Sequence, residues 1–423
     1  MPMSCPPWPR APIMPSPSRA EPIPADRSAW AVFLIFLRLG LTSFGGPVAH
    51  LGYFRTEFVV RRRWLGEAAY ADLVALCQFL PGPASSQVGM AIGLSRAGYA
   101  GAFAAWAGFT LPSAVALIAL ALGLTQAGDA LQSGAGAGLL HGLKVVAVAV
   151  VAQAVWGMAR SLCPDAPRRA LMLATAALLL AWPGTGTQLL AIALAGMLGL
   201  LLVRPAADAP HEPMSVPVSR TAGAAWLALF FALLLCLPLL LQAMPSQALA
   251  LVDAFYRAGA LVFGGGHVVL PLLQASVVPT GWVNNEAFLA GYGAAQAMPG
   301  PLFTFAAFLG AAMQTAPTGW TGGALALVAI FAPAFLLIVG ALPFWESLRA
   351  QPRVRAALMG INAAVVGLLL AALWNPVIVS GIRGVGDGLL AGVALVALMK
   401  WTWPTWVVVV GCAGVMPSLG FFW

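Results

Sequence analysis

Two arginines lie inside apolar segments, each six residues before a Phe-Gly-Gly motif. These are Arg38 and Arg257. Burying a guanidinium near the centre of a bilayer costs about 2.5–3.5 kcal/mol on insertion scales, so each arginine should face the protein interior and have a partner there. One alternative is that each arginine pairs with a carboxylate of the protein, such as Asp72 or Asp253. The other is that both planar guanidinium groups together clamp a tetrahedral oxyanion.

Two Pro-Gly-Pro triplets are expected to break helices, at Pro81-Gly82-Pro83 and Pro299-Gly300-Pro301. A helix over 66–79 should end before the first triplet, and a new helix should start near Pro83. Free N–H groups at such a helix start attract anions, and many transporters build substrate sites from discontinuous helices. A plain proline kink is the alternative. Further donors beside the triplets are Gln78, Gln296, Ser86 and Thr304.

The glycine motifs add backbone to the candidate site. They are Phe44-Gly45-Gly46 and Phe263-Gly264-Gly265. Their glycines either allow helices to pack closely or expose the backbone to a ligand. The side chains that could carry a proton near these motifs are His50, Asp72 and His267. For the histidines, a purely structural hydrogen bond is the alternative.

The motifs recur in the same order, which indicates a duplication. The Phe-Gly-Gly motifs lie 219 residues apart and the triplets 218 residues apart. Basic residues do not recur in the same way. Arg61, Arg62 and Arg63 have no basic counterpart at 278–281, whereas the loop 346–355 carries three arginines and its counterpart 125–141 carries none. Because cytoplasmic loops are enriched in Lys and Arg, the two copies should be inverted-topology repeats.

The amino-acid composition indicates that most of this fold is surrounded by lipid and not by water. Of 423 residues, 61% are hydrophobic and 8% are charged, against about 45–50% and about 25% in soluble domains. The chain should therefore be a multi-pass protein whose main partner is the lipid bilayer. The net charge is +8, but no basic run is interleaved with aromatic residues, so nucleic-acid binding is not expected. No cysteine spacing, nucleotide-binding loop or catalytic motif indicates a metal, a cofactor or an enzyme.

The predicted fold class is all-α: a polytopic membrane protein built from two inverted-topology repeats, with broken or re-entrant helices at the Pro-Gly-Pro triplets. Residues 30–60 should form a broken hairpin buried in protein. The expected domains are a disordered Pro-rich tail (1–29), a first membrane repeat (30–203), a polar linker (204–220) and a second membrane repeat (221–423, motif core 250–375). Apolar stretches long enough to span the bilayer are expected at about 98–124, 142–160, 169–182, 187–203, 221–243, 319–345, 356–374, 386–400 and 403–420.

The motifs resemble those of the chromate ion transporter family in its long two-domain form. The resemblance rests on Phe44-Gly45-Gly46-Pro47 with His50, Arg62-Arg63-Trp64, Gln78-Phe79-Leu80-Pro81-Gly82-Pro83, Phe263-Gly264-Gly265-Gly266-His267 and Gln296-Ala297-Met298-Pro299-Gly300-Pro301. It implies a bacterial inner-membrane secondary transporter that exports chromate, driven by the membrane potential or a proton gradient and without ATP. The residues themselves indicate only an oxyanion, because sulfate has the same charge and shape. A sulfate or other oxyanion transporter and a passive anion channel are the alternatives, and no oligomeric state is indicated.

Overall fold

The computed structural model describes residues 28–127, 134–204, 218–263, 266–345 and 351–419, and the regular elements in these ranges are all helical. A π-helical segment, Arg55–Arg61, continues the second helix. The helices of the first half are α1 (Ala29–Thr42), α2 (Gly46–Phe54), α3 (Glu67–Phe79), α4 (Ala84–Ala127), α5 (Gly134–Leu162), α6 (Ala166–Ala181) and α7 (Thr185–Leu202).

The second half repeats this order after one additional helix, α8, and two 3₁₀ turns, Gly266–Val268 and Leu302–Thr304, precede α10 and α12. Its helices are α8 (Arg220–Ala243), α9 (Gln247–Ala260), α10 (Val269–Val277), α11 (Asn285–Ala297), α12 (Phe305–Ala311), α13 (Gly319–Ala341), α14 (Pro352–Ala372), α15 (Val385–Met399) and α16 (Thr405–Leu419). The all-α membrane fold is thus confirmed, and each of the nine predicted apolar stretches is helical. The predicted tail and most of the predicted linker lie outside the described residues.

Within the described ranges, five helical segments are long and apolar enough to cross a membrane, two of them α8 and α13. These two lie at opposite extremes of burial. Only 11% of the apolar window of α8 is buried inside the protein, against 78% for α13. Since both are strongly apolar, α8 is a peripheral helix that faces lipid, whereas α13 lies in the core. There α13 packs against α9, as α1 packs against α4 in the first half.

The long helix α4 is a helical hairpin and not one continuous span. Its backbone leaves helical geometry at Ala97 and Gly98, where Gly98 has a φ of +61°. Residues Gly93 and Gly101 would lie about 12 Å apart along a straight helix, yet a Cβ atom on Gly93 would overlap the carbonyl oxygen of Gly101. The chain therefore reverses at Gly98, and the predicted span that starts at residue 98 begins at this reversal. The short segment before it, 84–96, is almost completely buried.

The reversal in the second half is built in the same way. Helix α12 precedes α13, and a Cβ atom on Gly310 would overlap the carbonyl oxygen of Gly322. Every residue of α12 is buried. Each half therefore places a short buried helix directly after its Pro-Gly-Pro triplet and then turns back into a long apolar helix.

Candidate functional site

The two Pro-Gly-Pro triplets lie between helices, and each is hydrogen-bonded to the other half of the chain. Helix α3 ends at Phe79 and α4 begins at Ala84, while α11 ends at Ala297 and a 3₁₀ turn begins at Leu302. The N–H of Gly82 donates to the carbonyl oxygen of Val262 at 2.6 Å, and the N–H of Gly300 donates to that of Ser43 at 2.9 Å.

These hydrogen bonds define two equivalent contacts between the halves of the chain. We call them the Gly82 crossing, from Gly82 to Val262, and the Gly300 crossing, from Gly300 to Ser43. Ser43 directly follows α1, and Val262 lies two residues after the end of α9. Each triplet thus contacts the end of the arginine-bearing helix of the opposite half. The two glycine N–H groups are engaged within the protein, so they are not the free anion donors that a helix break alone would provide.

Both triplet glycines have conformations that other residues rarely adopt. Gly82 has a φ of +122° and Gly300 a φ of +93°. A Cβ atom on Gly82 would lie 2.9 Å from the side-chain nitrogen of Gln87, and one on Gly300 would lie 3.0 Å from Ser113 Oγ. The flanking prolines, Pro81, Pro83, Pro299 and Pro301, are buried or half-buried. The crossings are therefore tight, and a side chain at either glycine would disturb them.

The polar residues beside the triplets have different environments. Gln78 is exposed on α3, whereas Gln296 is half-buried on α11 and its side-chain nitrogen has no partner among the described residues. Ser86 is buried, and within the described ranges its hydroxyl also has no partner. Thr304 is buried, and its hydroxyl donates to the carbonyl oxygen of Pro301 at 2.8 Å. The Ser86 hydroxyl and the Gln296 side-chain amide are thus donors still available for a ligand.

The end of the first glycine motif lies against the residues that directly follow the second motif. A Cβ atom on Gly46 would be 4.0 Å from His267 Nε2, and one on Gly266 would be 3.3 Å from the ring of Pro47. Gly45 is exposed with a φ of +100°. The predicted site residues Gly264 and Gly265 lie outside the described residues.

The two histidines make different hydrogen bonds. His267 Nδ1 lies 3.0 Å from the hydroxyl of Tyr292. His50 is 1% exposed, with Nε2 3.2 Å from the carbonyl oxygen of Ser43 and Nδ1 3.4 Å from Ser85 Oγ. His50 therefore joins the end of α1 to the first turn of α4, directly beside the Gly300 crossing.

The arginines are placed unequally. Arg257 forms an ion pair with Asp253, one turn earlier on α9. Both residues line a cavity of about 320 Å³ between α7, α8, α9 and α10. Arg38 is exposed on α1, and the lining of this cavity includes no residue of α1. The structure thus gives Arg257 the carboxylate partner that the sequence allowed, and it does not bring both arginines into this cavity.

Asp72, the third proton-carrying candidate, is half-buried on α3. Its carboxylate accepts a hydrogen bond from the indole nitrogen of Trp345 at 3.1 Å. This contact joins α3 to the segment that follows α13, across the two halves of the chain.

Sequence reasoning missed a polar contact between α5 and the second half. The buried Lys144 donates to the Glu286 carboxylate at 2.8 Å, and Arg383 lies 3.1 Å from the same oxygen. The hydrogen bond from Lys144, together with its charge, lowers the pKa of Glu286 below its usual value. Next to it, His141 Nε2 lies 2.9 Å from Asp387. The two residues of each contact are 142 and 246 positions apart in the chain. No local sequence pattern could therefore have paired them.

These observations define a multi-pass, all-helical membrane protein whose two halves meet at broken helices. A family model described as Chromate transporter matches residues 30–200 and 249–416. The chain therefore belongs to the chromate transporter family.

Curated relatives match most of the chain. A chromate transport protein of Pseudomonas aeruginosa is 30% identical over 82% of this chain and 81% of its own length. One of Cupriavidus metallidurans is 27% identical over 87% of each chain. An uncharacterized transporter of Methanocaldococcus jannaschii is 24% identical over 81% of this chain and 83% of its own length. No solved structure matches the chain at a significant level.

Proposed function

We propose that the protein is a secondary transporter that exports chromate across the bacterial inner membrane. The observation that carries this proposal is the match of one chromate transporter model to both halves of the chain. Relatives named as chromate transport proteins, matched over more than four fifths of this chain, support the same substrate.

The two halves act as inverted-topology repeats in this proposal. Three observations support it. The family model matches each half separately, the triplets form a reciprocal pair of hydrogen bonds, and both halves contain a short buried helix that reverses at closely packed glycines. Transporters with such repeats change access by rocking one part against the other around a fixed site. The crossings at Gly82 and Gly300 lie where the two halves would move.

The anion would bind near these crossings. The glycine motifs and triplets form the walls, Ser86 supplies a hydroxyl group, and Gln296 supplies a half-buried amide. Thr304 supplies a second hydroxyl group, which must first leave the carbonyl oxygen of Pro301. Arg38 and Arg257 supply positive charge along the path. Because Arg257 is already paired with Asp253, an anion must compete with this carboxylate. Proton coupling, where it occurs, would use His50, Asp72 or His267.

The membrane potential can drive this export without ATP. An inside-negative potential is worth about 2.3 kcal/mol per elementary charge per 100 mV, so it favours the outward movement of a dianion. A proton gradient is the second source of energy in the proposal.

Two alternative functions would use the same binding residues. A sulfate or other oxyanion transporter is compatible with the same donors, because sulfate and chromate are both tetrahedral dianions. A passive anion channel is less compatible, since Gly82, Gly300 and both short helices after them are buried, which suits an occluded site better than an open pore.

Accumulation of radiolabelled chromate in intact cells tests the proposal and distinguishes export from import. Cells that express the protein should accumulate less chromate than cells with an empty vector. A parallel measurement with labelled sulfate compares the substrates. Higher chromate accumulation would contradict export, and an effect on sulfate alone would contradict chromate as the substrate.

A further inference from the structure

The two crossings differ sharply in polarity. At the Gly300 crossing, four polar side chains are at most 2% exposed, although they lie among apolar helices. The equivalent positions at the Gly82 crossing are all apolar and at most 1% exposed. The polar residues are Ser43, His50, Ser85 and Ser113, and their counterparts in the same order are Val262, Val269, Phe303 and Ala334.

The four polar residues, which we call the polar crossing, surround one backbone hydrogen bond. The carbonyl oxygen of Ser43 accepts from the Gly300 N–H at 2.9 Å and lies 3.2 Å from His50 Nε2. Ser85 Oγ lies 3.4 Å from His50 Nδ1. Ser113 approaches from the long segment of α4. Its hydroxyl donates to the carbonyl oxygen of Thr110 at 3.1 Å and would lie 3.0 Å from a Cβ atom on Gly300. Three separate elements of the first half thus converge on the second triplet.

The hydrogen-bond geometry fixes the state of His50. A carbonyl oxygen only accepts, so Nε2 must carry the proton and donate to Ser43. In the neutral ring Nδ1 then accepts, and the Ser85 hydroxyl donates to it. With two donors on the Ser43 carbonyl oxygen, both of its lone pairs are used. The imidazole is therefore a positioning group that joins α1 to α4.

Donors remain available at the polar crossing. Within the described part of the chain, the hydroxyl groups of Ser43 and Ser86 have no hydrogen-bond partner, although these residues are 0% and 3% exposed. A buried hydroxyl without a partner loses its hydrogen bonds to water on folding, so such groups usually serve a ligand or an ordered water. At the other crossing, the counterpart of Ser86 is Thr304, whose hydroxyl is already bonded to Pro301.

The backbone adds to the preference for an anion. Ser85 and Ser86 lie in the first turn of α4, where backbone N–H groups have no partner within the helix and the helix dipole is positive. The hydrogen bonds of the polar crossing involve hydroxyl, imidazole and backbone groups. Neutral donors at a helix N-terminus bind an oxyanion and repel a cation.

We propose that the polar crossing, together with Ser86, is an oxyanion subsite of this protein. The apolar crossing at Gly82 is then the structural counterpart that holds the halves together without touching the substrate. This inference rests on the proposed function but deepens it, because it places the tetrahedral dianion in the first half of the chain, adds Ser43 to the binding residues and makes Ser85 and Ser113 positioning residues.

Equilibrium binding to purified protein in nanodiscs tests the subsite, with radiolabelled chromate and radiolabelled sulfate as separate probes. Ser43→Ala and Ser86→Ala remove the two buried hydroxyl groups that have no partner among the described residues, so each should weaken binding of the transported anion about tenfold, as expected for the loss of one hydrogen bond to a charged group. Thr175→Val is the matched control. It removes another buried hydroxyl of the first half, on α6 next to α14, and should leave the affinity unchanged.

Ser43→Cys and Ser86→Cys keep a side chain of similar shape and weaken the donor, so they report on the subsite if an alanine variant does not fold. Folded variants with wild-type affinity would overturn the subsite. A loss of affinity in Val262→Ala, at the counterpart of Ser43, equal to that in Ser43→Ala, with both proteins folded, would also overturn it, since it would make the two crossings equivalent. Wild-type protein that binds neither anion would instead contradict the proposed function itself.

Discussion

The ion pair on α9 has one buried member and one partly exposed member, so its two residues should respond differently to substitution. The side chain of Asp253 is 1% exposed, and that of Arg257 is 39% exposed. Arg257→Gln leaves a buried carboxylate without its partner, which typically costs about 3–5 kcal/mol. Asp253→Asn leaves a guanidinium that water or a lipid headgroup can reach, so the cost should stay within about 1 kcal/mol.

The double variant separates stability from transport. Asp253→Asn with Arg257→Gln removes both charges and should recover most of the stability that Arg257→Gln loses. Because no guanidinium remains in the cavity to attract the anion, the double variant should fold but not transport chromate. Asp253→Asn alone should retain transport, since it frees Arg257 from the competing carboxylate.

Two assays on the same preparations check these expectations. Thermal unfolding of detergent-purified protein, followed by tryptophan fluorescence, ranks the stabilities of the three variants. Chromate transport by reconstituted protein ranks their activities. An Arg257→Gln protein as stable as the wild type would refute the argument from burial, and a double variant that transports at the wild-type rate would refute the role of Arg257 in transport.

Further predictions concern the contact between α5 and α11 and the triplet glycines. Glu286→Gln should destabilise the protein by about 3–5 kcal/mol, because it leaves a Lys144 side chain that is 6% exposed without its carboxylate. Lys144→Met should cost much less, since Glu286 is 69% exposed and keeps Arg383; equal melting midpoints for the two variants would argue against this asymmetry. The ion pairs lower the pKa of Glu286, so their stabilisation is present above the usual carboxyl pKa and is lost as the pH falls through the lowered value. Thermal unfolding from pH 7 to pH 3 should therefore show a larger loss for wild type than for Lys144→Met, and parallel curves would contradict it. Gly82→Ala and Gly300→Ala place a side chain at a positive φ, a strain of about 1–3 kcal/mol each; both should slow chromate transport, and the leucine variants should abolish it. Fully active leucine variants would show that the triplets are ordinary kinks.

Much of the fold could be predicted because lipid imposes a simple rule on sequence. An apolar stretch of about 20 residues becomes a helix, and the nine predicted stretches are helical in the structure. The Pro-Gly-Pro triplets marked chain positions between helices because proline restricts the residue before it and favours the first helical turn. At Gly98 the sequence predicts only the start of a membrane span. The preceding segment, 84–96, is too short to cross the bilayer, so the sequence does not indicate that the chain reverses there.

The candidate site was only partly accessible from the sequence. Asp253 and Arg257 stand four residues apart, so their pairing follows from helix geometry. Ser43, Ser85 and Ser113 carry no such signal, because single serines are common in membrane helices and their convergence depends on how α1, α2 and α4 pack. The hydrogen bond from Gly300 to Ser43 joins residues far apart in the chain, and only the tertiary structure shows that it lies beside His50.

Chromate uptake into inverted membrane vesicles tests the central claim most directly. In such vesicles export appears as uptake, and an inside-positive potential drives the dianion inward. The account predicts uptake well above that of vesicles without the protein, with a large decrease when the potential and proton gradient are collapsed. No uptake above empty vesicles, with the protein verifiably inserted, would contradict chromate export.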